Sequence, residues 1–261
     1  MLCALFFRRL YSASSASKIR KAIVIICIVL ILGGYGVRTT LRNEDWKDTV
    51  VLSKKTIEDS PLDPWAYTSL GGYLIDKGEC DLAIDALRKA IALLDEYALP
   101  HELLGMCYMK KEQYHEAIKE FNKALTIDPE SVECRNARGV SYAHLKMYIE
   151  AKREFEFILL HNPGEYNSRL NLAQLYECQE DYANALAQYE MLLRGARTNT
   201  QRLIAYMRIG DVYKEIGDGV HAREFYKKTS DACGKDMDEL RVLAEERIAS
   251  LGTAIGGGGG N

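Results

Sequence analysis

A spacing of 34 residues recurs through the middle of this chain. Gly71, Gly105 and Gly139 follow one another at this interval. The same interval separates four alanines: Ala83, Ala117, Ala151 and Ala185. A constant period of this length is typical of a repeat array, in which each copy is one small unit that packs on its neighbours. The period therefore predicts an elongated stack of units rather than a globular fold.

The residues within one copy predict two short helices that meet at a turn. Gly105 and Ala117 are small, and small side chains allow two helix axes to approach within about 8–10 Å. Tyr108 and Phe121 then fill the space beside the crossing point. Pro129 ends the second helix, because proline cannot continue one.

This pattern resembles the tetratricopeptide repeat, a helix-turn-helix unit of 34 residues. The resemblance implies an all-α solenoid of about five repeats with capping helices, preceded here by one predicted transmembrane helix. The family's first Trp position is occupied by other residues: Tyr67, His101, Arg135, Arg169 and Tyr206. The fifth copy is displaced by three extra residues, which we expect in the loop around Arg197 to Gln201. The repeats are then 64–97, 98–131, 132–165, 166–199 and 203–236, with the array spanning 64–232.

Both ends of the array are predicted to be capped. Residues 44–60 fit the repeat frame as the second helix of an incomplete leading copy, and residues 237–251 carry apolar residues at helical spacing. Terminal units of a solenoid must cover its open ends, so we expect capping helices at both places. Residues 252–261 are glycine-rich and are expected to form a flexible tail.

The N-terminal region predicts a membrane anchor. Residues 1–21 contain basic but no acidic side chains, and residues 22–37 contain no charge. The run approaches the ~20 residues that a span requires, and flanking lysines and arginines extend it. The positive-inside rule then places the N-terminus in the cytoplasm and the repeats on the exoplasmic, periplasmic side of a bacterial inner membrane. A cleaved signal peptide is the alternative for the same residues.

Two further alternatives concern location and pathway. The segment from Arg9 to Ser15 is rich in Arg and Ser and free of acids, as mitochondrial targeting segments are, and this would imply the mitochondrial inner membrane. Residues 38–60, with Arg42-Asn43 and Trp46-Lys47-Asp48, resemble the junction between the last membrane helix and the repeats of bacterial glycosyltransferases similar to protein O-mannosyltransferases. That resemblance implies an accessory subunit of a membrane glycosyltransferase, without transferase activity of its own.

The sequence offers no residues for enzyme chemistry. Its seven cysteines include no Cys-x-x-Cys pair, its five histidines occur singly, and no phosphate loop or dinucleotide fingerprint is present. The net charge of −3 shows no footprint for nucleic acid. We therefore expect a non-enzymatic protein with no metal, cofactor, small-molecule substrate or nucleic-acid partner.

The resemblance implies a binding groove lined by the first helix of each repeat. Its second, fifth, ninth and twelfth positions face a peptide or protein ligand in this family. Carried over by register, the candidate residues are Trp65, Thr68, Ile75, Leu99, Glu102, Met106, Met109, Glu133, Asn136, Val140, Asn167, Leu170, Gln174, Glu177, Met207, Asp211 and Lys214. The carboxylate clamp of chaperone-binding members is absent, since Leu103, Glu133 and Ala137 stand at its positions. The sequence thus predicts a membrane-anchored scaffold with a partner-binding groove.

Overall fold

The computed structural model describes residues 49–234 and 237–255. Within these ranges the chain forms twelve α-helices and no strand. In chain order they are α1 (Thr49–Asp59), α2 (Pro64–Asp76), α3 (Cys80–Leu93), α4 (Ala98–Lys110), α5 (Tyr114–Ile127), α6 (Val132–His144), α7 (Tyr148–His161), α8 (Tyr166–Cys178), α9 (Tyr182–Gly195), α10 (Asn199–Glu215), α11 (Gly219–Ala232) and α12 (Asp238–Ile255).

The predicted all-α solenoid is confirmed in this part of the chain. Helices α2 to α11 form five antiparallel pairs, and each second helix packs on the first helix of the following pair. Helix α1 packs on α2 at one end and α12 packs on α11 at the other. The core therefore runs along the stack as linked clusters rather than as one central core.

The crossing point of each helix pair explains why small residues recur at a regular spacing along this chain. Ala117 is completely buried, and a Cβ atom built on Gly105 would lie 2.5 Å from Cε1 of Phe121. The same second-helix position holds a fully or almost fully buried side chain in every repeat: Leu87, Phe121, Phe155, Tyr189 and Tyr226. The helices thus approach closely because one partner lacks a side chain where the other is large.

The turn inside each pair has one repeated conformation. Its central residue adopts a positive φ of 58° to 82° in all five repeats: Gly78, Glu112, Lys146, Glu180 and Gly217. The next residue donates its backbone N–H to a carbonyl of the first helix, as in the 2.8 Å bond from Gln113 to Tyr108. This bond satisfies a carbonyl that the end of the helix would leave without a partner.

Paired side chains replace the missing tryptophan at the first position of the family pattern. His101 is buried, and its Nδ1 lies 2.7 Å from Oε2 of Glu120 on the second helix of the same repeat. The same two positions are matched in the later repeats: Arg135 with Glu154, Arg169 with Gln188, and Tyr206 with Phe225. The second to fifth repeats therefore each fill this site with a complementary pair of their own.

The ends of the array differ from the prediction in two places. Helix α10 begins at Asn199 rather than at 203 and is 17 residues long, so the extra residues lengthen the helix and not the loop. The reason is a capping box in which Thr198 accepts from the N–H of Gln201 and the Gln201 side chain accepts from that of Thr198. Helix α12 continues to Ile255, so the first residues of the predicted tail 252–261 are helical.

The predicted basic segment 1–21 and membrane helix 22–37 lie outside the described residues, as do residues 44–48 of the leading helix and 256–261 of the tail. Among residues 49–234 and 237–255, no helix combines the length and the hydrophobicity of a membrane span.

Candidate functional site

The first helices line the inner side of the stack. Consecutive first helices contact one another, α2 with α4, α4 with α6 and α6 with α8. No pair of consecutive second helices makes a comparable contact in the described part of the chain. The stack therefore curves toward its first helices, and the groove of the predicted site lies along them.

Most of the predicted groove residues keep some exposed surface along this side. Those that are exposed or half-buried are Trp65, Leu99, Glu102, Met106, Met109, Glu133, Asn136, Val140, Asn167, Leu170, Gln174, Glu177, Asp211 and Lys214. They are spread over five helices, so no single point contacts them all. The repeat register thus gives the face on which these residues lie. The polarity of their side chains differs along that face and divides it into sections.

Three of the predicted groove residues are buried, and the prediction is corrected at these positions. Thr68 is 3% exposed, and its hydroxyl donates to the carbonyl of Pro64 at 2.7 Å. Ile75 belongs to the hydrophobic cluster between α2, α3 and α4. Met207 packs in the cluster around Tyr226 and Ala244. These side chains stabilise contacts between helices and are not accessible to a partner.

The N-terminal section of the groove is apolar and exposed. Trp65 is 58% exposed, Leu99 is 40% exposed and Met106 is 36% exposed. The Trp65 ring lies 5.9 Å from that of Tyr97, the residue immediately before α4. Large apolar side chains that remain in water along one groove are typical of a protein-binding surface.

A cavity of about 200 Å³ opens between α6 and α8 in the middle of the groove. Its lining is largely apolar and consists of Val140, Ala143, His144, Phe155, Asn171, Gln174, Leu175 and Cys178. Val140 and Gln174 are candidates from the sequence, and the structure brings them together here. The cavity has the size for one apolar side chain of a ligand.

The sequence prediction did not include Asn171 and Cys178 among the site residues. They occupy the sixth and thirteenth positions of the fourth repeat, next to the fifth and twelfth positions used for the prediction. Neighbouring positions of a first helix share its inner face when that helix sits deep in the groove. Both would have been identified if the residue after each predicted groove position had also been included.

A hydrogen-bond network holds the two walls of the cavity together. Oδ1 of Asn136 on α6 accepts from Nδ2 of Asn171 at 3.0 Å and from the hydroxyl of Ser168 at 3.3 Å, both on α8. These bonds fix the spacing of the two helices. Asn136 therefore has a structural role in addition to its place in the groove.

The first helices α4, α6 and α8 each carry a glutamate among the predicted groove residues. Glu102 lies on α4, where it accepts a long hydrogen bond of 3.4 Å from Ser131, and Glu133 is exposed on α6. Oε1 of Glu177 on α8 and the hydroxyl of Tyr189 on α9 are buried near each other, and neither has a hydrogen-bond partner of normal geometry among the described residues. Burial raises the pKa of both Glu102 and Glu177 above the ordinary value for a glutamate.

The C-terminal section of the groove is closed by contacts within the chain. Asp211 accepts from the hydroxyl of Tyr226 at 2.9 Å and also pairs with Arg247 of α12. The capping helix α12 therefore pairs with Asp211, a side chain that the repeat register predicted to face a ligand. Lys214, one turn later on α10, stays exposed.

No metal-binding group is formed by the described residues, where no three His, Cys, Asp or Glu side chains come together at ligand spacing. Buried thiols of Cys107 and Cys134 have pKa values of about 12, chiefly because burial disfavours the thiolate. The groove thus offers apolar surface and carboxylates, which are groups for binding a ligand.

Comparisons with known proteins identify the repeat. Residues 98–131 match one tetratricopeptide repeat model, and residues 148–200 match another. No curated protein matches the sequence. Solved structures match the fold at low identity, among them a tetratricopeptide repeat protein from Parabacteroides merdae (20% identical, TM-score 0.64, 86% of this chain and 92% of that one).

Two other structures share this arrangement. PilF from Pseudomonas aeruginosa is 22% identical with a TM-score of 0.58, over 74% of this chain and 90% of its own. YrrB, described as a TPR protein with an unusual peptide-binding site, is 21% identical with a TM-score of 0.55, over 74% of this chain and 97% of its own. Together, residues 98–131 and 148–200 match tetratricopeptide repeat models, and the five helix pairs share the fold of solved tetratricopeptide repeat structures.

Proposed function

We propose that this chain is a non-enzymatic scaffold that captures a segment of a partner protein in the groove of α4, α6 and α8. The tetratricopeptide fold itself suggests protein–protein interaction. The observation that carries the proposal is the cavity of about 200 Å³ between α6 and α8, which is open to the groove and largely apolar. A scaffold needs such a site because an anchored side chain fixes the register of an otherwise flexible ligand.

The chemistry of the groove specifies the ligand further. An apolar side chain of the partner would enter the cavity against Val140 and Leu175, and burying a residue of Leu size contributes about 1.5–3 kcal/mol. Glu102, Glu133 and Glu177, on α4, α6 and α8, favour lysine or arginine elsewhere in the ligand. The exposed Leu99 and Met106 extend the apolar contact toward the N-terminal repeat. The proposed ligand is therefore a peptide that combines an aliphatic or aromatic anchor with basic residues.

One structural neighbour supports a peptide as the ligand. YrrB is described as having an unusual peptide-binding site and shares the solenoid fold with this chain. At 21% identity this likeness concerns the fold, so the proposal for this chain rests on its own cavity.

We further propose that residues 22–37 anchor the scaffold in a bacterial inner membrane, with the repeats on the periplasmic side. The support is the uncharged run and the basic segment before it. A mitochondrial inner-membrane protein is the alternative and would be processed near Tyr11.

The accessory role beside a membrane glycosyltransferase rests on residues 38–60, whereas the matching repeat models lie within 98–200. Co-purification with such an enzyme would test that role.

Affinity purification of the full-length, detergent-solubilised protein tests whether a partner binds in the groove. The variant Met106→Glu/Met109→Glu places charges on the apolar section. The matched control Ile149→Glu/Leu160→Glu alters two residues of α7 that are 66% and 77% exposed and lie outside the cavity. We expect a partner that is retained by the wild type and the control and lost with the groove variant, while circular dichroism shows all three folded. A partner that binds the groove variant normally and is lost with the control would contradict the proposal.

A further inference from the structure

Two cysteines face each other across the junction between the first two repeats. Cys80 is the first residue of α3 and is half-buried, whereas Cys107 of α4 is completely buried. Both belong to the same hydrophobic cluster, which also contains Ile75, Leu87 and Leu104. The two thiols are direct neighbours, and the Cys80 side chain contributes, after burial, to the raised pKa of Cys107.

Three other contacts hold α4 against α2 and α3 around this pair. Nζ of Lys110 donates to the carbonyl of Ile75 at 2.9 Å, and Lys111 forms an ion pair with Asp81. About two turns further along α3, Arg88 donates to the hydroxyl of Tyr108 at 3.0 Å. Residues that follow Cys107 are therefore bonded to residues on both sides of Cys80. The thiols meet because the helices are held in this register.

We propose that Cys80 and Cys107 form a disulfide that cross-links the first repeat to the second when the repeats meet a thiol oxidant. A disulfide requires Cβ atoms about 3.5–4.5 Å apart, and the two thiols already lie side by side in one cluster of packed helices. The other three described cysteines differ: Cys134 donates its thiol to the carbonyl of Phe121 at 3.6 Å, Cys178 is exposed in the groove, and Cys233 is half-buried just after α11. The pairing does not depend on what the groove binds.

The reaction needs an oxidant that itself carries a disulfide, such as oxidised glutathione. The Cys80 thiolate attacks one glutathione sulfur, forms a mixed disulfide and releases one glutathione thiolate. The Cys107 thiolate then attacks Sγ of Cys80 and releases the second glutathione thiolate, which completes the protein disulfide. The two protein thiols lose their protons to solvent, and the oxidant accepts two electrons. Burial of Cys107 keeps its thiolate scarce, so the second step is the slower one.

The cross-link would strengthen the end of the array that lies nearest the predicted anchor. It joins residues 27 positions apart in the sequence and so restricts the unfolded chain. We expect the oxidised protein to unfold at a temperature about 5–10 °C higher than the reduced protein. Such bonds persist in oxidising compartments, which is where the proposed orientation puts the repeats.

The test is peptide mapping of the folded, full-length protein. The protein is incubated with oxidised glutathione, its free thiols are then blocked with N-ethylmaleimide in denaturant, and it is digested with trypsin without reduction. Cys80 and Cys107 fall on separate tryptic peptides, residues 78–88 and 90–110. We expect these peptides as one disulfide-linked species that separates on reduction, and Cys178→Ser is expected to give the same species.

A variant separates the two steps of the reaction. In Cys107→Ala the linked species is expected to disappear, and Cys80 should accumulate as its glutathione adduct. The proposal is overturned if the wild-type protein yields two separate peptides in which Cys80 and Cys107 each carry N-ethylmaleimide, because both thiols were then still free. It is equally overturned if Cys80 stops at the glutathione adduct while Cys107 stays free, because the thiols are then not aligned for exchange.

Discussion

Adjacent glycines in α2 have different surroundings. A Cβ atom built on Gly71 would lie 2.6 Å from Cγ of Leu87, which is itself completely buried. A Cβ atom on Gly72 would meet its nearest neighbour, Cδ1 of Leu103, at an ordinary distance of 3.8 Å. The first glycine is therefore required by the close approach of α2 and α3, and the second is not.

These two positions give the first prediction. Gly71→Ala is expected to lower the free energy of unfolding by about 1–3 kcal/mol, because Leu87 has no free space into which it could move. Gly72→Ala is the control in the same helix and is expected to be neutral or to stabilise by up to about 1 kcal/mol, since alanine favours helix over glycine. Urea titration of both variants measures the difference. Equal effects at the two positions would contradict the packing account.

Spacing predicted the small residues well but predicted exposure in the groove less well. Ala83, Ala117 and Gly105 lie at helix crossings as expected, because steric exclusion is the same in every repeat. Thr68 and Met207 were predicted to face a ligand and are buried. How deeply a given position is buried depends on the helix that follows in the stack, and register alone carries no information about that neighbour.

The second prediction concerns Glu177. Burial raises its pKa in the folded state, so the folded protein binds this proton more tightly than the unfolded protein does. Its charge therefore costs stability above the folded pKa, and the cost disappears as the pH falls through that value toward the unfolded pKa. Glu177→Gln should raise the melting temperature at pH 7, and the gain should vanish at about pH 4, where the wild-type carboxyl is also protonated.

The exposed Glu133 provides the control for this experiment. Glu133→Gln is expected to change stability at pH 7 by less than about 0.5 kcal/mol, as surface substitutions usually do. A lower melting temperature for Glu177→Gln at pH 7 would show that the carboxylate stabilises the fold, contrary to this account. Thermal melts at the two pH values are sufficient for both variants.

At the scale of elements, the third prediction concerns the start of α10. Thr198 and Gln201 exchange hydrogen bonds in a capping box, which begins the helix at Asn199. Thr198→Ala removes the side-chain acceptor and is expected to cost about 1 kcal/mol of stability. Thr200→Ala, two residues later on an exposed position of α10, is expected to change stability much less. Equal effects of the two substitutions on thermal unfolding would contradict the role of the Thr198 side chain as a helix cap.

Helices were predictable here, whereas their turns were predictable only in part. Gly78 and Gly217 mark a left-handed turn residue by their identity, but Glu112, Lys146 and Glu180 adopt the same conformation without any signal in the sequence. These three follow from the repeat, because equivalent helix pairs require equivalent turns. The start of α10 was predicted wrongly for a related reason: extra residues between copies were assigned to a loop although Thr198 caps a helix.

At the scale of the whole molecule, the stack of five pairs leaves one continuous face for a partner. Its N-terminal section is apolar at Leu99 and Met106, its middle holds the cavity, and its C-terminal section is closed where Arg247 pairs with Asp211. The sequence predicted the face through the repeat register. The cavity itself arises from the spacing of α6 and α8, which the bonds to Asn136 fix, and it could be located only in three dimensions.

The central claim is that a partner binds in the groove at this cavity. The most direct measurement is photo-crosslinking in cells of the full-length protein that carries benzoylphenylalanine at Gln174, which lines the cavity. The comparison protein carries it at Leu160, which is 77% exposed on α7. We predict a discrete crosslinked partner from position 174 that is absent from position 160 and is lost when Val140→Phe fills the cavity. A partner crosslinked from position 160 alone, or one unaffected by Val140→Phe, would contradict the account.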